Sequence, residues 1–554
     1  MSDPEYDVII IGGGINGAAC ASALTRQGYR ILLLEQGDFA SGTTAASTKL
    51  IHGGLRYLET AITQLSVSDA GLVHEALQSR EALLREDPHL VKPLPFVLPV
   101  YDRDPRSGWY VRAGLLLYDL LSPRKVSPWH RSFTIPELRR QEPSVETANL
   151  RSAYLFYDAI VEMPERLCIE YLTEARESGA DVRNYSSADF IIVNNGVAQG
   201  VDYHDVLTGE RHSASARLIL NAGGPWVDAV LEATGNRMQR RVGATKGSHL
   251  VLNLEGRGPS HGILASAQSD GRYIFIVPWL DHHIIGTTDI RHDGDPGNLR
   301  PDAWEVDYLI SEASRILPGI GVDREHILYG YSGARPLPYT SKTLAEGAVT
   351  RRSFIIDHEA EGVERLFSLV GGKLTTARPL ARSVARTVRR ALGAAPRSGR
   401  PHALPSRGPD RVSFLPAATQ ENLRARYGQR AEAVAAYAAV DQTLAQPISP
   451  FHADIGAQVV YGVEHESART VGDILLRRTP VGLTHDLGRA AAPRVAAIMQ
   501  DLLDWSDAET AQAVRDYEME LHRSFVVFDR GTGTPPPENE SAGTNTESAD
   551  REGR

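Results

Sequence analysis

What this 554-residue chain lacks narrows its identity before any motif is read. It has only two cysteines, Cys20 and Cys168, too few for a disulfide framework, and no metal-ligand spacing surrounds them, so no metal site is expected. No apolar run approaches the roughly 18 to 20 residues that cross a bilayer, so any membrane contact would be peripheral. Basic charge is not in excess. The 59 Lys and Arg stand against 69 Asp and Glu, a net charge of −10, which gives nucleic acid no electrostatic reason to bind. The N-terminus, MSDPEYDVIII, has no basic region followed by an apolar stretch and a cleavage site, which argues for a cytoplasmic chain. An apolar content of 42% with 23% charge describes a soluble globular protein, long enough for two or three domains.

What is present is concentrated first in Asp7 to Gln36, DVIIIGGGINGAACASALTRQGYRILLLEQ. The apolar run Val8 to Ile11 enters a glycine turn, an Ala-rich helical segment follows, and a second apolar run, Ile31 to Leu34, ends on Glu35. Gly12 permits the tight turn, Gly14 lets the backbone approach a pyrophosphate, and Gly17 lets the helix pack on the strand. Asn16 stands inside the same turn, and Glu35 is placed to accept hydrogen bonds from a ribose hydroxyl pair. The stretch predicts a dinucleotide site without deciding between NAD and FAD.

Phe39 to Glu59, FASGTTAASTKLIHGGLRYLE, is the second informative segment. Its small and hydroxyl residues, with Thr43, Thr44, Ser47, Thr48 and Lys49 as cofactor contacts, suit a loop that wraps a phosphate and leads into a buried helix. His52, Gly53, Gly54, Arg56 and Tyr57 then follow in an order that core packing does not require. Asp69 to Leu90 reads as a helix. Trp109 to Leu121, WYVRAGLLLYDLL, reads either as a membrane-interface segment or as an ordinary buried helix. Strands recur at Phe190 to Val193, Gly200 to Tyr203 and Leu218 to Asn221, the last running into AGGPWVD with Gly223 in its turn. Tyr273 to Trp279 and His283 to Asp289 predict an antiparallel pair in a second sheet. Phe367 to Val370 leads into GGKLTTARPL, a strand, a Gly-Gly turn and a helix N-terminus carrying Gly372, Lys373, Leu374 and Thr375.

The chain therefore returns to the dinucleotide unit near Gly12, Ala222 and Gly371 with β-rich insertions between, an interleaving that favours FAD over a contiguous NAD domain. Residues 394–416 read as a linker, 417–528 as a helical domain with 3.6-residue periodicity, and 529–554 as a disordered tail.

The run STKLIHGGLRYLE closely resembles the FAD-dependent glycerol-3-phosphate dehydrogenases, differing chiefly in Thr48 where a serine is common. YSGARPL around Arg335 and the GGK turn extend the resemblance from Asp7 to about Ala385, and RRTPVGL continues it weakly toward Arg523. The resemblance implies an α/β, two-domain FAD-binding fold of the glutathione-reductase and D-amino-acid-oxidase kind. A β-rich substrate domain is interleaved with the cofactor domain over 1–393, and an all-α C-terminal domain follows. It implies oxidation of glycerol 3-phosphate to dihydroxyacetone phosphate, with FAD reoxidised by a membrane quinone at the cytoplasmic face of the membrane, and it tilts Trp109 to Leu121 toward the interface. His52 is the expected base, because an imidazole titrates near working pH. Arg56 and Arg335 are expected to grip the phosphate as guanidinium forks, with Tyr57 adding a hydroxyl. Lys373 is expected to bind a substrate oxygen or to polarise the flavin. A homodimer stays open, since no residue pattern selects an oligomeric state. An oxidase passing electrons to oxygen, and an amine or amino-acid oxidase of the same fold, are the rival readings.

Overall fold

The computed structural model describes residues 4–63, 66–340, 352–392 and 412–528. The expected linker, apart from 412–416, and the expected tail at 529–554 lie outside the described residues.

Val8–Ile11 is buried at every position, as a strand covered on both faces must be. It lies inside a six-stranded sheet, parallel to Ile31–Leu34 on one side and Ile219–Asn221 on the other. Asp181–Arg183 and Leu366–Val370 extend the two flanks in parallel, and Phe354–Asp357 closes one edge antiparallel. Alternation sorts the side chains. Val8, Ile10, Leu33 and Leu220 meet the helices Ile15–Thr25, Pro164–Glu177 and Ala377–Leu392. Ile9, Ile11, Leu32 and Leu34 meet the antiparallel meander Ser186–Asn194, Val197–Asp205 and Arg211–Ser215.

A second sheet of eleven strands stands beside the first, and its middle runs Ile327–Arg335, Thr245–Leu252, His282–Gly286 and Tyr273–Trp279, each antiparallel to the next. The two-residue strand Leu50–Ile51 joins its far edge by pairing with Ile160 and Ala159. Those backbone partners correct one expectation. The hydroxyl-rich loop enters this strand and the Gly53–Gly54 turn, and the helix that follows, Leu55–Thr63, is only partly buried.

The segment read two ways is a helix, Gly108–Leu120, with one face of each kind. Val111, Leu115 and Tyr118 are buried, whereas Trp109, Leu116 and Leu120 are 74%, 47% and 64% exposed.

From Ala417 to Ser524 the described chain is mainly helical, with a π-helical segment at Asp473–Arg478. This unit does not stand apart. Ile474, Leu475, Val495 and Met499 share a core with Tyr329 and Tyr331 of the second sheet. The last described strand, Val526–Val527, adds to that sheet beside Tyr329 and Gly330.

Candidate active site

The glycine turn is held by contacts that leave no room for side chains. Gly12 has a φ of +112°, and a Cβ there would sit 2.6 Å from the Ala222 carbonyl oxygen; one on Gly17 would overlap the Gly12 carbonyl oxygen. A Cβ on Gly14, by contrast, would meet only the Thr44 hydroxyl, at 3.4 Å. The backbone at the start of the helix Ile15–Thr25 therefore faces open space, where N–H groups and the helix dipole favour an anion. Thr44 Oγ1 accepts from the Ile15 N–H at 3.1 Å and ties the hydroxyl loop to that helix end. Glu35 accepts from the N–H groups of Gly13 at 2.7 Å and Gly37 at 2.9 Å. Burial pushes its carboxyl up, against those two bonds. Gly223 follows the strand Ile219–Asn221, donates to Asn221 Oδ1 at 3.1 Å, and would lie 3.1 Å through its nitrogen from a Cβ on Gly12. Asn16 donates to the Gly371 carbonyl at 3.3 Å, and its Oδ1 is buried without a partner among the described residues. An open cradle at Gly14, an orphaned acceptor on Asn16 and a carboxylate ending the second strand fit a dinucleotide such as FAD.

The GGK turn forms the other end. Gly371 and Gly372, at φ +82° and +95°, lead from Leu366–Val370 into the turn Leu374–Thr376 and the helix Ala377–Leu392. A Cβ on Gly372 would press on Asn16 Nδ2 at 2.9 Å, which packs this turn against the fingerprint helix. Thr375 Oγ1 accepts from the His52 N–H at 3.0 Å, and Lys373 Nζ lies 4.0 Å from the centre of the Tyr57 ring. The His52 ring meets Phe275 edge-on with centroids 6.2 Å apart. Phe275, Gly286, His249 and Tyr331 form one row across four strands, and Gly286 leaves the space that the His249 ring fills. The His249 and Tyr331 rings stack at 4.9 Å, Thr48 Oγ1 lies 2.8 Å from His249 Nε2, and the Tyr331 hydroxyl donates to the Ser47 carbonyl at 2.8 Å. Burial first, then the charges of Arg335 and Lys49, push His249 down to about 3, so its imidazole is neutral. Arg335 is oriented by Asp289 at 3.0 Å, Thr287 Oγ1 at 2.8 Å and the Thr288 carbonyl at 3.1 Å, while Thr43 donates to the neighbouring Ala334 carbonyl at 2.7 Å.

Two groups emerge from residues predicted separately. Gly12, Gly14, Asn16, Gly17, Glu35, Thr44, Gly223 and Gly372 converge on the fingerprint turn. His52, Tyr57, Lys373, Leu374 and Thr375 converge on the GGK turn. Ser47, Thr48, Thr43 and Arg335 lie along the row between, and Arg335 connects to His52 through Thr287, Gly286 and Phe275. Arg56 belongs to the helix Leu55–Thr63, but its side chain lies outside the described residues. Lys49, expected as a cofactor contact, has its ammonium engaged within the protein. Its Nζ donates to the Ala45 carbonyl at 2.6 Å and pairs with Glu165 at 3.0 Å in a buried setting, and a φ of +62° at Lys49 accompanies the bend that carries the loop into its strand. Gly13, His249, Phe275 and Gly286 were given no role from sequence. The available signal was a histidine and a glycine standing next to apolar residues in the fully buried strand Thr245–Leu252 and in His282–Gly286.

A parallel sheet presenting a dinucleotide cradle and the Lys373 turn, joined to a second sheet that carries Arg335 and whose edge strand leads into His52, defines a two-domain flavin-dependent oxidoreductase. Similarity to known proteins carries this further. The family described as FAD dependent oxidoreductase matches residues 7–387, and the one described as C-terminal domain of alpha-glycerophosphate oxidase matches 366–510. A glycerol-3-phosphate dehydrogenase of Synechocystis sp. is 35% identical over 95% of this chain and 98% of its own length. A mitochondrial glycerol-3-phosphate dehydrogenase of Bos taurus is 31% identical over 95% of this chain and 74% of its own. The solved glycerol-3-phosphate dehydrogenase of Bacillus halodurans, complexed with FAD, has a TM-score of 0.71 at 25% identity, covering 95% of this chain and 96% of that one. The chain belongs to the FAD-dependent glycerol-3-phosphate dehydrogenase family.

Proposed function

We propose that the chain oxidises sn-glycerol 3-phosphate to dihydroxyacetone phosphate and passes the electrons to a membrane quinone. The observation that carries the reading is the convergence of His52, Tyr57 and Lys373 at one turn, linked through Phe275 and Gly286 to Arg335. When bound, FAD supplies the acceptor for the hydride that leaves the secondary carbon. A ring nitrogen of His52 takes the hydroxyl proton as that carbon is oxidised. Arg335 and Arg56 hold the phosphate. Because Asp289 and Thr287 already orient the Arg335 guanidinium, little side-chain freedom is lost when substrate docks. Lys373, placed against the Tyr57 ring, steadies a substrate oxygen as charge develops on it.

Peripheral membrane contact is supported by one stripe of the helix Gly108–Leu120. Trp109, Leu116 and Leu120 recur at helical spacing and are exposed, and Val126 and Trp129 follow at 53% and 55% exposure. Among the described residues no helix is long and apolar enough to cross a membrane. Replacing Trp109 and Leu120 with serine lowers co-sedimentation with lipid vesicles if the stripe docks there. Unchanged co-sedimentation rejects it.

Anaerobic mixing with glycerol 3-phosphate tests the chemistry: the flavin band bleaches, and a soluble quinone restores it. A band that glycerol 3-phosphate leaves unbleached rejects the reading. The match of residues 366–510 to the C-terminal domain of alpha-glycerophosphate oxidase favours one second reading, an oxidase. Rapid reoxidation by oxygen with peroxide release, without quinone, selects it.

A further inference from the structure

The buried Lys49–Glu165 pair lines a cavity of about 210 Å³. Its walls come from the loop between Ser41 and Lys49, from the strand segment Tyr329 to Ala334, and from Leu476, Leu483 and Phe525 of the C-terminal region. It shares only Thr43 and Lys49 with the expected cofactor contacts, and none of His52, Tyr57, Arg335 and Lys373 lines it.

Trp226, Trp279, Tyr329 and Tyr331 give it flat aromatic walls. The two tyrosine hydroxyls are committed to the carbonyls of Leu483 and Ser47, so they do not set what binds. Glu165, about 1% exposed, accepts from Lys49 on Oε1, while Oε2 is buried without a partner among the described residues. Lys49 directs two of its three N–H groups to Ala45 and Glu165, leaving one. An unanswered buried carboxylate oxygen is costly. A single water would answer it, but at about 30 Å³ each the cavity has room for about seven. It is also smaller than the roughly 300 to 1,000 Å³ of sites for drug-sized ligands.

An acceptor and a donor side by side call for one group that does both, and a hydroxyl does so at a single atom. A carboxylate would meet Glu165 as a like charge, and an ammonium would meet Lys49 so; of the two arginines that also line the cavity, Arg477 is already paired with Asp38, Asp473 and Glu520 and Arg523 is exposed. We propose that this cavity binds a small planar aromatic molecule bearing a hydroxyl group, which donates to Glu165 Oε2, accepts from Lys49 Nζ and packs its ring against Trp226, Trp279 and Tyr331. The occupant touches both the hydroxyl loop and the C-terminal region, away from His52, Tyr57, Arg335 and Lys373, none of which lines the cavity.

The test titrates the FAD-loaded full chain with 2-naphthol and with naphthalene, following tryptophan fluorescence and heat of binding. 2-Naphthol binds saturably, and naphthalene binds at least tenfold more weakly, because a hydrogen bond to a charged group is lost. This comparison needs no variant. Leu299→Trp, which adds bulk at a lining residue and leaves both members of the ion pair in the sequence, removes 2-naphthol binding while a thermal melt and the flavin spectrum stay those of the parent. Equal affinity for the two probes, no saturable 2-naphthol binding by the folded parent, or full binding by a folded Leu299→Trp chain each overturns the proposal; the second of these means that the cavity holds only water.

Discussion

Replacing Asp38 with asparagine tests what fastens the helical C-terminal region to the cofactor domain. Asp38 is 3% exposed and lies against Arg478, 0% exposed, and Arg477. Arg478 Nη2 donates to Asp38 Oδ1 at 2.9 Å and Arg477 Nε to Oδ2 at 2.5 Å. Burial works to raise the Asp38 carboxyl, but Arg478 and Arg477 overcome it and hold it lowered to about 2. At about 1.4 kcal/mol per pH unit, the fall from 3.8 is worth roughly 2 kcal/mol at neutral pH. Removing one partner of a buried pair costs about 3 to 5 kcal/mol, because the other charge is left uncompensated. Arg477 keeps Asp473 and Glu520, so Arg478 bears most of the loss and the lower part of that range applies, about 3 kcal/mol. At about 2 to 4 °C per kcal/mol, the first thermal transition of Asp38→Asn drops by about 6 to 12 °C at pH 7, and trypsin cuts first within 417–528. The pH dependence has a fixed sign. A depressed carboxylate contributes stability above its unfolded value, here 3.8, and that contribution fades as pH falls through about 2, so the asparagine chain lacks this acid-side loss. A variant that melts within about 1 °C of the parent at pH 7 refutes the reasoning.

Gly17→Ala, whose Cβ would overlap the Gly12 carbonyl, purifies without flavin absorbance, whereas Gly14→Ala folds and holds FAD more weakly; equal flavin content in the two contradicts the geometry of the turn. Arg335→Lys keeps the charge but loses the fork that Asp289 and Thr287 orient. KM for glycerol 3-phosphate rises by on the order of tenfold with a smaller change in kcat, and an unaltered KM counts against a phosphate role. His249 is neutral down to about 3, so folding stability declines as pH falls from 6.5 toward that value, where the unfolded chain takes up the proton first. A His249→Gln chain followed by denaturant melts at several pH values has a shallower slope across that window, and parallel profiles contradict the assignment.

Much of the cofactor end was legible because its signals are local. A four-residue apolar strand, glycines at fixed offsets and an acid closing the next strand lie within thirty residues, and each answers a steric demand that recurs wherever a dinucleotide meets a helix end. The GGK turn was legible for the same reason, as a strand, two glycines at positive φ and a helix start in one segment. The partner of Lys49 was not legible because its neighbours, Thr48 and Leu50, reveal nothing of a carboxylate 116 residues away. His249 and Phe275 were invisible as site residues because their falling in one row, on either side of Gly286, depends on strand register. A shift by one residue would turn both toward the opposite face of the sheet.

From sequence alone followed the dinucleotide cradle, the interleaved strands and the helical C-terminal region, since each is written in contiguous residues whose periodicity and backbone freedom act over a few positions. Only the tertiary structure decided that His52 and Arg335 face one row of the second sheet, that Lys49 is spent on Glu165, and that Asp38 receives two arginines from the C-terminal region. Those choices belong to pairings across hundreds of residues. They are settled by sheet register and by the cost of leaving buried charge unpaired, neither of which any short stretch of chain contains.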